Sequence, residues 1–83
     1  MKVDRQALQE KVLGMLRAIA PELQADALAP SRPLRSQVDL DSMDWLNFLL
    51  RLHEHFKVDI PESDYAKLVT LDNVLDYLQT RLD

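Results

Sequence analysis

The sequence has 83 residues, 47% of them hydrophobic, which predicts a single domain over residues 1–83 with a packed core and argues against wholesale disorder. Fourteen acidic residues against ten basic ones give a net charge of −4, which argues against binding to nucleic acid through its phosphates. The chain has no cysteine, so neither a disulfide framework nor a cysteine-ligated zinc ion can hold the fold.

A helix is predicted over residues 3–19, because apolar side chains recur there at helical spacing. Its main apolar stripe contains Leu8, Val12, Met15 and Ile19, with Val3 and Leu16 near the edge. Asp4 is the expected N-cap, and Pro21 ends the segment. Gly14, the only glycine, lies inside this helix at a cost of about 1 kcal/mol relative to alanine, which a close helix crossing would explain.

Residues 1–12, MKVDRQALQEKV, do not form a signal peptide, since acidic residues come too early and an apolar run is missing. Nowhere does the sequence approach the roughly 18 unbroken apolar residues that a membrane-spanning helix needs. We therefore expect a soluble, mildly acidic protein that is complete as it stands and does not associate with membranes. The absence of cysteine leaves the redox compartment open, although a cytosolic protein would fit.

A long loop is predicted from residue 20 to residue 40, because Pro21, Pro30 and Pro33 interrupt the helical pattern. The PELQADAL stretch within it fits one or two helical turns. Four apolar residues are spaced to pin the loop onto the core: Leu28, Leu34, Val38 and Leu40. Loops of about twenty residues are uncommon in compact domains and tend to be functional. This one leads directly into Asp41 and Ser42.

Residues 41–56, DSMDWLNFLLRLHEHF, predict a helix that is apolar on two opposite sides. One broad stripe, wide enough to anchor a core, contains Trp45, Phe48, Leu49, Leu52 and Phe56. Met43, Leu46 and Leu50 lie on the far side of the helix. A surface helix in a small monomeric domain needs only the first stripe. The second stripe is therefore expected to be covered by more of the chain or by a partner.

Two more helical segments are predicted after the central helix. Residues 62–68 fit a short helix, with Ser63 as its cap and with Tyr65 and Leu68 facing inward. Thr70 is a good N-cap for a last helix, whose apolar residues are Leu71, Val74, Leu75, Leu78 and Leu82. The expected fold is an all-α four-helix bundle of three main helices plus one short helix, with a long first loop.

The residues give little support for an enzyme or a metal site. Ser42 lacks a GxSxG elbow, and His53 lies more than two turns further along the same helix, beyond hydrogen-bond reach of Ser42. His53 and His55 are two residues apart and so lie on different sides of the helix, where we expect them to be solvated rather than to chelate a metal. The aspartates show no calcium-loop spacing. We therefore expect neither catalysis nor a bound metal.

Ser42 follows Asp41 at the start of the central helix, where such residues commonly serve only as N-caps. A helix N-terminus also directs unpaired backbone N–H groups and the positive end of the helix dipole outward, which suits an attached phosphate. A serine hydroxyl there can be joined to a phosphodiester without burying the charge. The second apolar face begins one residue later, at Met43, beside this hydroxyl.

Three short motifs lie between residues 38 and 78. They are D-S-M at 41–43, F-x-x-x-I-P at 56–61 and T-L-x-x-V-L-D-Y-L at 70–78. D-S-M alone is a weak signal. With the other two motifs at the distances from it that the family shows, this segment resembles the acyl carrier protein family. In that family the first motif is usually D-S-L. The four-helix layout with a long first loop extends the resemblance to nearly the whole chain.

The resemblance implies a 4′-phosphopantetheine arm on Ser42, added by a phosphopantetheinyl transferase with coenzyme A as donor, whose thiol holds an acyl group as a thioester. It implies a docking face for the transferase and for acyl-loading and acyl-transfer enzymes, formed by Asp41, Met43, Asp44, Leu46, Asn47 and Leu50. The opposite stripe would line an interior that shelters the acyl chain: Trp45, Phe48, Leu49, Leu52 and Phe56. The implied protein is a cytoplasmic monomer of lipid or fatty acid biosynthesis.

Several positions depart from the family pattern. Asp39 stands where a glycine is common, and Asn47 replaces an acid of the docking face. From residue 41 to residue 57 there are three acids against two bases, whereas this helix is strongly acidic in carriers of fatty acid synthesis. Partners that steer by a basic patch would be attracted less strongly, so we expect a specialised carrier in a dedicated pathway. Trp45 suggests a smaller or altered acyl pocket.

Two alternatives stay open. An aminoacyl or peptidyl carrier would show the same resemblance. An unmodified helical interaction module would use Met43, Leu46 and Leu50 to bind a groove on a partner, although it would not need Ser42 beside Asp41.

Overall fold

Three long helices and one short helix form the fold of the computed structural model, which describes residues 4–82. In chain order they are α1 Arg5–Ile19, α2 Leu34–Gln37, α3 Ser42–Phe56 and α4 Leu71–Leu82. Two 3₁₀ helices, Ala25–Ala27 and Glu62–Lys67, lie in the connections. The expected bundle of three main helices is confirmed, and the predicted short helix near residue 62 is of the 3₁₀ type. Val3 lies outside the described residues.

The core lies between α1, α3 and α4 and consists of apolar side chains. On α1 the buried residues are Leu8, Val12 and Leu16, while Met15 and Ile19 only pack against the core. Leu16, predicted at the edge of the stripe, is therefore at its centre, because α1 packs along the row of residues spaced by four. On α4 the predicted stripe is confirmed for four residues, Leu71, Val74, Leu75 and Leu78, which are buried, whereas Leu82 is half-buried against the core.

Side chains close the start of both terminal helices. Asp4 accepts a hydrogen bond from the Gln6 N–H, at 3.1 Å, as the sequence predicts. At α4 the Asn73 N–H donates to Thr70 Oγ1 and the Thr70 N–H donates to Asn73 Oδ1, both at 3.0 Å. This reciprocal pair satisfies two backbone donors at once.

The segments after α3 differ in detail from the expectation. Lys57 ends α3 in the left-handed conformation, with φ 55°. His53 is exposed but not simply solvated, because its Nδ1 lies 2.8 Å from the Val58 carbonyl oxygen and ties down the chain after the helix. Ser63 does not cap the 3₁₀ helix. Pro61 occupies that position, where its fixed φ, −67°, starts the turn without a side-chain bond.

The long first loop is fastened to the start of α4. The Leu34 N–H donates to the Val69 carbonyl at 2.9 Å, and the Asp72 N–H donates to the Pro30 carbonyl at 3.1 Å. Gln37 fastens the loop internally, since its amide oxygen accepts from the Ala29 N–H at 2.7 Å and its amide nitrogen donates to the Ala29 carbonyl at 2.9 Å. Three of the four predicted pins are buried: Leu34, Val38 and Leu40. These hydrogen bonds and buried side chains therefore fix the position at which the chain enters α3.

Gly14 lies on the exposed side of α1, and a Cβ built there meets no atom within 4 Å, so the suggested close helix crossing is wrong. Gly14→Ala is expected to raise the free energy of unfolding by about 1 kcal/mol, because alanine loses less backbone entropy on forming a helix. Urea denaturation measures this change. Ala18→Gly, at another exposed position of α1, is the reverse control and should cost a similar amount. A lower free energy of unfolding in Gly14→Ala would contradict the finding that a Cβ at residue 14 meets no other atom.

Tyr77 and Asp64 join α4 to the 3₁₀ helix before it. The Tyr77 hydroxyl donates to Asp64 Oδ2 at 2.7 Å, and the Arg81 guanidinium lies 3.6 Å from the centre of the Tyr77 ring. Lys67 and Arg81 also pair with Asp64, at 3.3 and 3.6 Å. The hydrogen bond from Tyr77, followed by these cations, holds the pKa of Asp64 below its usual value. Burial and the Asp64 carboxylate together raise the pKa of Tyr77 to about 12.

Titration of the tyrosines checks this pair. The ultraviolet absorbance of tyrosinate should contain a component with a midpoint near pH 12 that disappears in Tyr77→Phe. Because the folded pKa lies above the ordinary value of 10.0, the stability due to the protonated phenol is complete below pH 10 and is lost as the pH rises toward 12. If the component that disappears in Tyr77→Phe had its midpoint near the ordinary value of 10.0 instead, this would contradict the contact with Asp64.

Candidate functional site

Asp41 caps the N-terminus of α3. Its backbone is extended, with φ −81° and ψ 179°, and its Oδ1 accepts a hydrogen bond from the Asp44 N–H at 2.8 Å. Its carbonyl oxygen accepts the first helical bond, from the Trp45 N–H at 3.0 Å. The capping task, which the sequence leaves open between Asp41 and Ser42, therefore belongs to Asp41.

Ser42 is the first residue inside α3, and its side chain is exposed. Within residues 4–82 its hydroxyl has no hydrogen-bond partner, and the N–H groups of Ser42 and Met43 have no protein acceptor. A reachable hydroxyl thus lies beside two unpaired donors at the positive end of a fifteen-residue helix. These features fit a group linked through a phosphodiester, because the donors and the dipole stabilise its negative charge.

The second apolar stripe of α3 is exposed. Met43, Leu46 and Leu50 have 66%, 38% and 44% of their surface accessible, so the described chain does not cover them. Asp44 is half-buried and Asn47 is exposed. The sequence predicted that either more of the chain or a partner covers this stripe. Residues 4–82 do not cover it, and a partner stays a prediction.

The opposite stripe of α3 lies in the closed core. Phe48, Leu49 and Leu52 are at most 1% exposed. Phe56 and Trp45 are half-buried against this core, and the Trp45 ring lies 5.3 Å from the Phe48 ring, centre to centre. Their predicted role as the lining of an acyl cavity stays a prediction. Of these five residues, Trp45 is the one that borders the open cavity described next.

An open cavity of about 250 Å³ lies where α2, α3 and the second 3₁₀ helix meet. Its lining consists of Pro33, Arg35, Trp45, Tyr65, Ala66, Leu68 and Val69. Residues three apart on a helix are surface neighbours, with about 5–6 Å between their Cβ atoms, so Trp45 lies beside Ser42. One of the side chains that line the cavity is therefore a helical neighbour of Ser42. The sequence predicted that Tyr65 and Leu68 face inward, but no local pattern indicates that these three segments form one cavity.

Asp39, at the position of the common family glycine, is accommodated without strain. Among the described residues 4–82, Lys57 is the only non-glycine residue with positive φ, so the turn before Ser42 does not require glycine. The same described part of the chain contains no group of three metal-ligating side chains, and none of its helices is long and apolar enough to cross a membrane.

Comparisons with known proteins bear on this site. A family model described as a phosphopantetheine attachment site matches residues 10–78. The acyl carrier protein of Thermosynechococcus vestitus is 30% identical over 89% of this chain and 95% of its own length. An acyl carrier protein of Campylobacter jejuni subsp. jejuni is 32% identical over 68% of this chain and 73% of its own length.

Two solved structures share the fold. The solution structure of a protein from Anaplasma phagocytophilum superposes with a TM-score of 0.83 at 21% identity, and the match covers 100% of this chain and 97% of that one. The acyl carrier protein from Enterococcus faecalis gives a TM-score of 0.78 at 22% identity, over 95% of this chain and 99% of that one. The bundle and its long first loop are therefore a known architecture.

Proposed function

Because the chain belongs to the acyl carrier protein family, we propose that its 4′-phosphopantetheine is attached to the Ser42 hydroxyl. Members of this family are carriers rather than enzymes, and the covalently bound group supplies a terminal thiol that holds the acyl cargo as a thioester. The family also implies a phosphopantetheinyl transferase and acyl-handling enzymes as partners.

This proposal rests on the different roles of Asp41 and Ser42 at the start of α3. An aspartate that caps the helix leaves the next hydroxyl without a structural task, and Ser42 is the exposed serine at the N-terminus of a long helix. Ser31, Ser36 and Ser63 lie in the loop, in the one-turn helix α2 and in the 3₁₀ helix, where no long helix offers its dipole.

The partners dock on the face made by the second stripe of α3 and its polar neighbours: Asp41, Met43, Asp44, Leu46, Asn47 and Leu50. Three exposed apolar side chains at positions i, i+3 and i+7 form one strip that begins directly beside Ser42. An enzyme seated on this strip would have the arm within reach. Val69, 43% exposed, is a further apolar residue that the sequence did not indicate, and it lies on the rim of the cavity.

The cavity beside Trp45 shelters the cargo. Trp45, one helical turn from Ser42, borders it, and six of its seven lining side chains are apolar or aromatic. Phe48, Leu49 and Leu52 lie in the core outside its lining, so their role in holding the cargo stays a prediction. Its volume of about 250 Å³ lies below the range of about 300–1,000 Å³ that is common for small-molecule sites, which favours a short acyl group.

Mass spectrometry tests the attachment. The full chain is incubated with coenzyme A and a broad-specificity phosphopantetheinyl transferase, and the intact mass should rise by one arm. Fragmentation should place the added mass on Ser42. No gain with several transferases would favour an unmodified interaction module instead.

The weak acidity of α3 supports a specialised carrier rather than one serving bulk fatty acid synthesis. If this weak acidity limits recognition by the enzymes of bulk fatty acid synthesis, Asn47→Glu combined with Arg51→Glu should improve recognition. The KM of housekeeping fatty acid synthase enzymes for this chain should then fall by about five- to tenfold at low salt. The gain should shrink as added salt screens the charges.

Arg17→Glu with Gln9→Glu, on α1, introduces the same change in charge away from α3 and is the matched control. Equal effects of both pairs of substitutions would count against a docking role of α3. Rapid turnover of the unaltered chain by these enzymes would count against specialisation. A cytoplasmic location stays a prediction.

A further inference from the structure

The cavity beside Trp45 has one charged residue in its lining. Arg35 borders it together with Pro33, Trp45, Tyr65, Ala66, Leu68 and Val69. A cation is not needed to close an apolar pocket, so the positive charge of Arg35 is available to attract an anion that enters the cavity.

Arg35 has little to bind within the protein. Its Nε donates to the Leu40 carbonyl oxygen at 3.4 Å, which is long for a hydrogen bond. Within residues 4–82 it forms no ion pair, whereas Arg5 pairs with Asp76 at 2.7 Å and Arg81 pairs with Asp64 at 3.6 Å. The terminal nitrogens of Arg35 therefore keep their planar set of donors, which matches the two oxygens of a carboxylate or phosphate.

The contacts of this guanidinium lie on both sides of the attachment point along the chain. Leu40, which accepts the Nε bond, lies two residues before Ser42, and Trp45, on the same cavity, lies one helical turn after it. The cavity is thus bordered by a side chain one helical turn from Ser42, so a group joined to Ser42 starts close to it. Of the charged residues, Arg35 is the one that meets such a group there.

We propose that Arg35 binds an oxyanion of the group carried on Ser42, and so makes the cavity selective for what it holds. This inference rests on the attachment at Ser42 proposed above. Two sources have the required chemistry: the carboxylate at the far end of an acidic acyl group, and the phosphodiester that links the arm to the protein. In either case the guanidinium donates paired hydrogen bonds to two oxygens.

Nuclear magnetic resonance of the Arg35 Nε–H group tests the inference in four forms of the full chain. They are the unmodified protein, the protein with the arm alone, and the protein loaded with hexanoyl or with glutaryl groups of similar length. The last two are prepared with the transferase from the corresponding coenzyme A thioesters. Arg32→Gln, three residues away in the loop and outside the cavity, is the control for Arg35→Gln.

A shift of the Arg35 signal with the glutaryl group, but not with the hexanoyl group, identifies the carboxylate as the ligand. An equal shift in every form that bears the arm identifies the phosphodiester. For a carboxylate, Arg35→Gln should also speed the reaction of the glutaryl thioester with hydroxylamine by about three- to fivefold, as expected for one exposed ion pair, while leaving the hexanoyl form unchanged. Arg32→Gln should change neither rate.

An Arg35 signal that stays the same in all four forms overturns the inference. That result is distinct from failure of the proposed function, in which no transferase loads the chain and the three modified forms cannot be made. Circular dichroism of Arg35→Gln separates a binding effect from a change of fold, since the side chain is exposed and its loss should leave the helices intact.

Discussion

Ser42→Ala is expected to abolish attachment of the arm, so that the intact mass stays at the unmodified value after incubation with coenzyme A and a transferase. Alanine removes the only oxygen through which the arm can be joined at this position. The fold should persist, because Asp41 caps α3 and the Ser42 hydroxyl forms no hydrogen bond within residues 4–82. We expect the free energy of unfolding to change by less than about 0.5 kcal/mol.

Two controls sharpen this result. Ser36→Ala removes a hydroxyl that donates to the Pro33 carbonyl at 2.8 Å, and this variant should still accept the arm. Asp41→Asn keeps a good N-cap but removes a charge beside the hydroxyl, so it should slow loading without preventing it. A full gain of mass in Ser42→Ala would move the attachment site to another residue.

The helices and their buried faces could be predicted because they depend on local periodicity. The spacing of Leu71, Val74, Leu75 and Leu78 predicts the buried side of α4, and Thr70 predicts its start. The two-sided pattern of α3 likewise predicts that Met43 and Phe48 have opposite environments, as the structure shows. Each of these predictions needs only the chain's own spacing.

Features that join distant segments could not be predicted in this way. Nothing in the sequence near Gln37 indicates that its side chain fastens the loop, because its partners are backbone groups whose positions depend on the whole turn. The cavity of Arg35 and Trp45 arises for a similar reason. It depends on the Leu34–Val69 bond, which brings the loop against the start of α4. Periodicity describes one helix at a time and does not report such contacts.

Phe48→Ala should be the most destabilising single substitution in α3. The ring is fully buried and belongs to the largest side chains of the core, and truncation of such a phenylalanine costs about 3–5 kcal/mol. A domain of this size has about 4–12 kcal/mol of total stability, so the variant should lose at least about a quarter of it. Urea denaturation followed by circular dichroism measures the loss, and Phe48→Leu provides a milder variant that stays folded.

Met43→Ala is the matched control for Phe48→Ala, because it truncates a large apolar side chain on the opposite, exposed side of the same helix. Its stability should change by no more than about 0.5 kcal/mol. If the exposed stripe docks partners, Met43→Ala should instead slow transfer of the acyl group by partner enzymes, an effect that Phe48→Leu should not reproduce under conditions where it is folded. Equal losses of stability in both variants would contradict the division of α3 into a core side and a docking side. The two variants together thus separate what holds this carrier together from what its partners recognise.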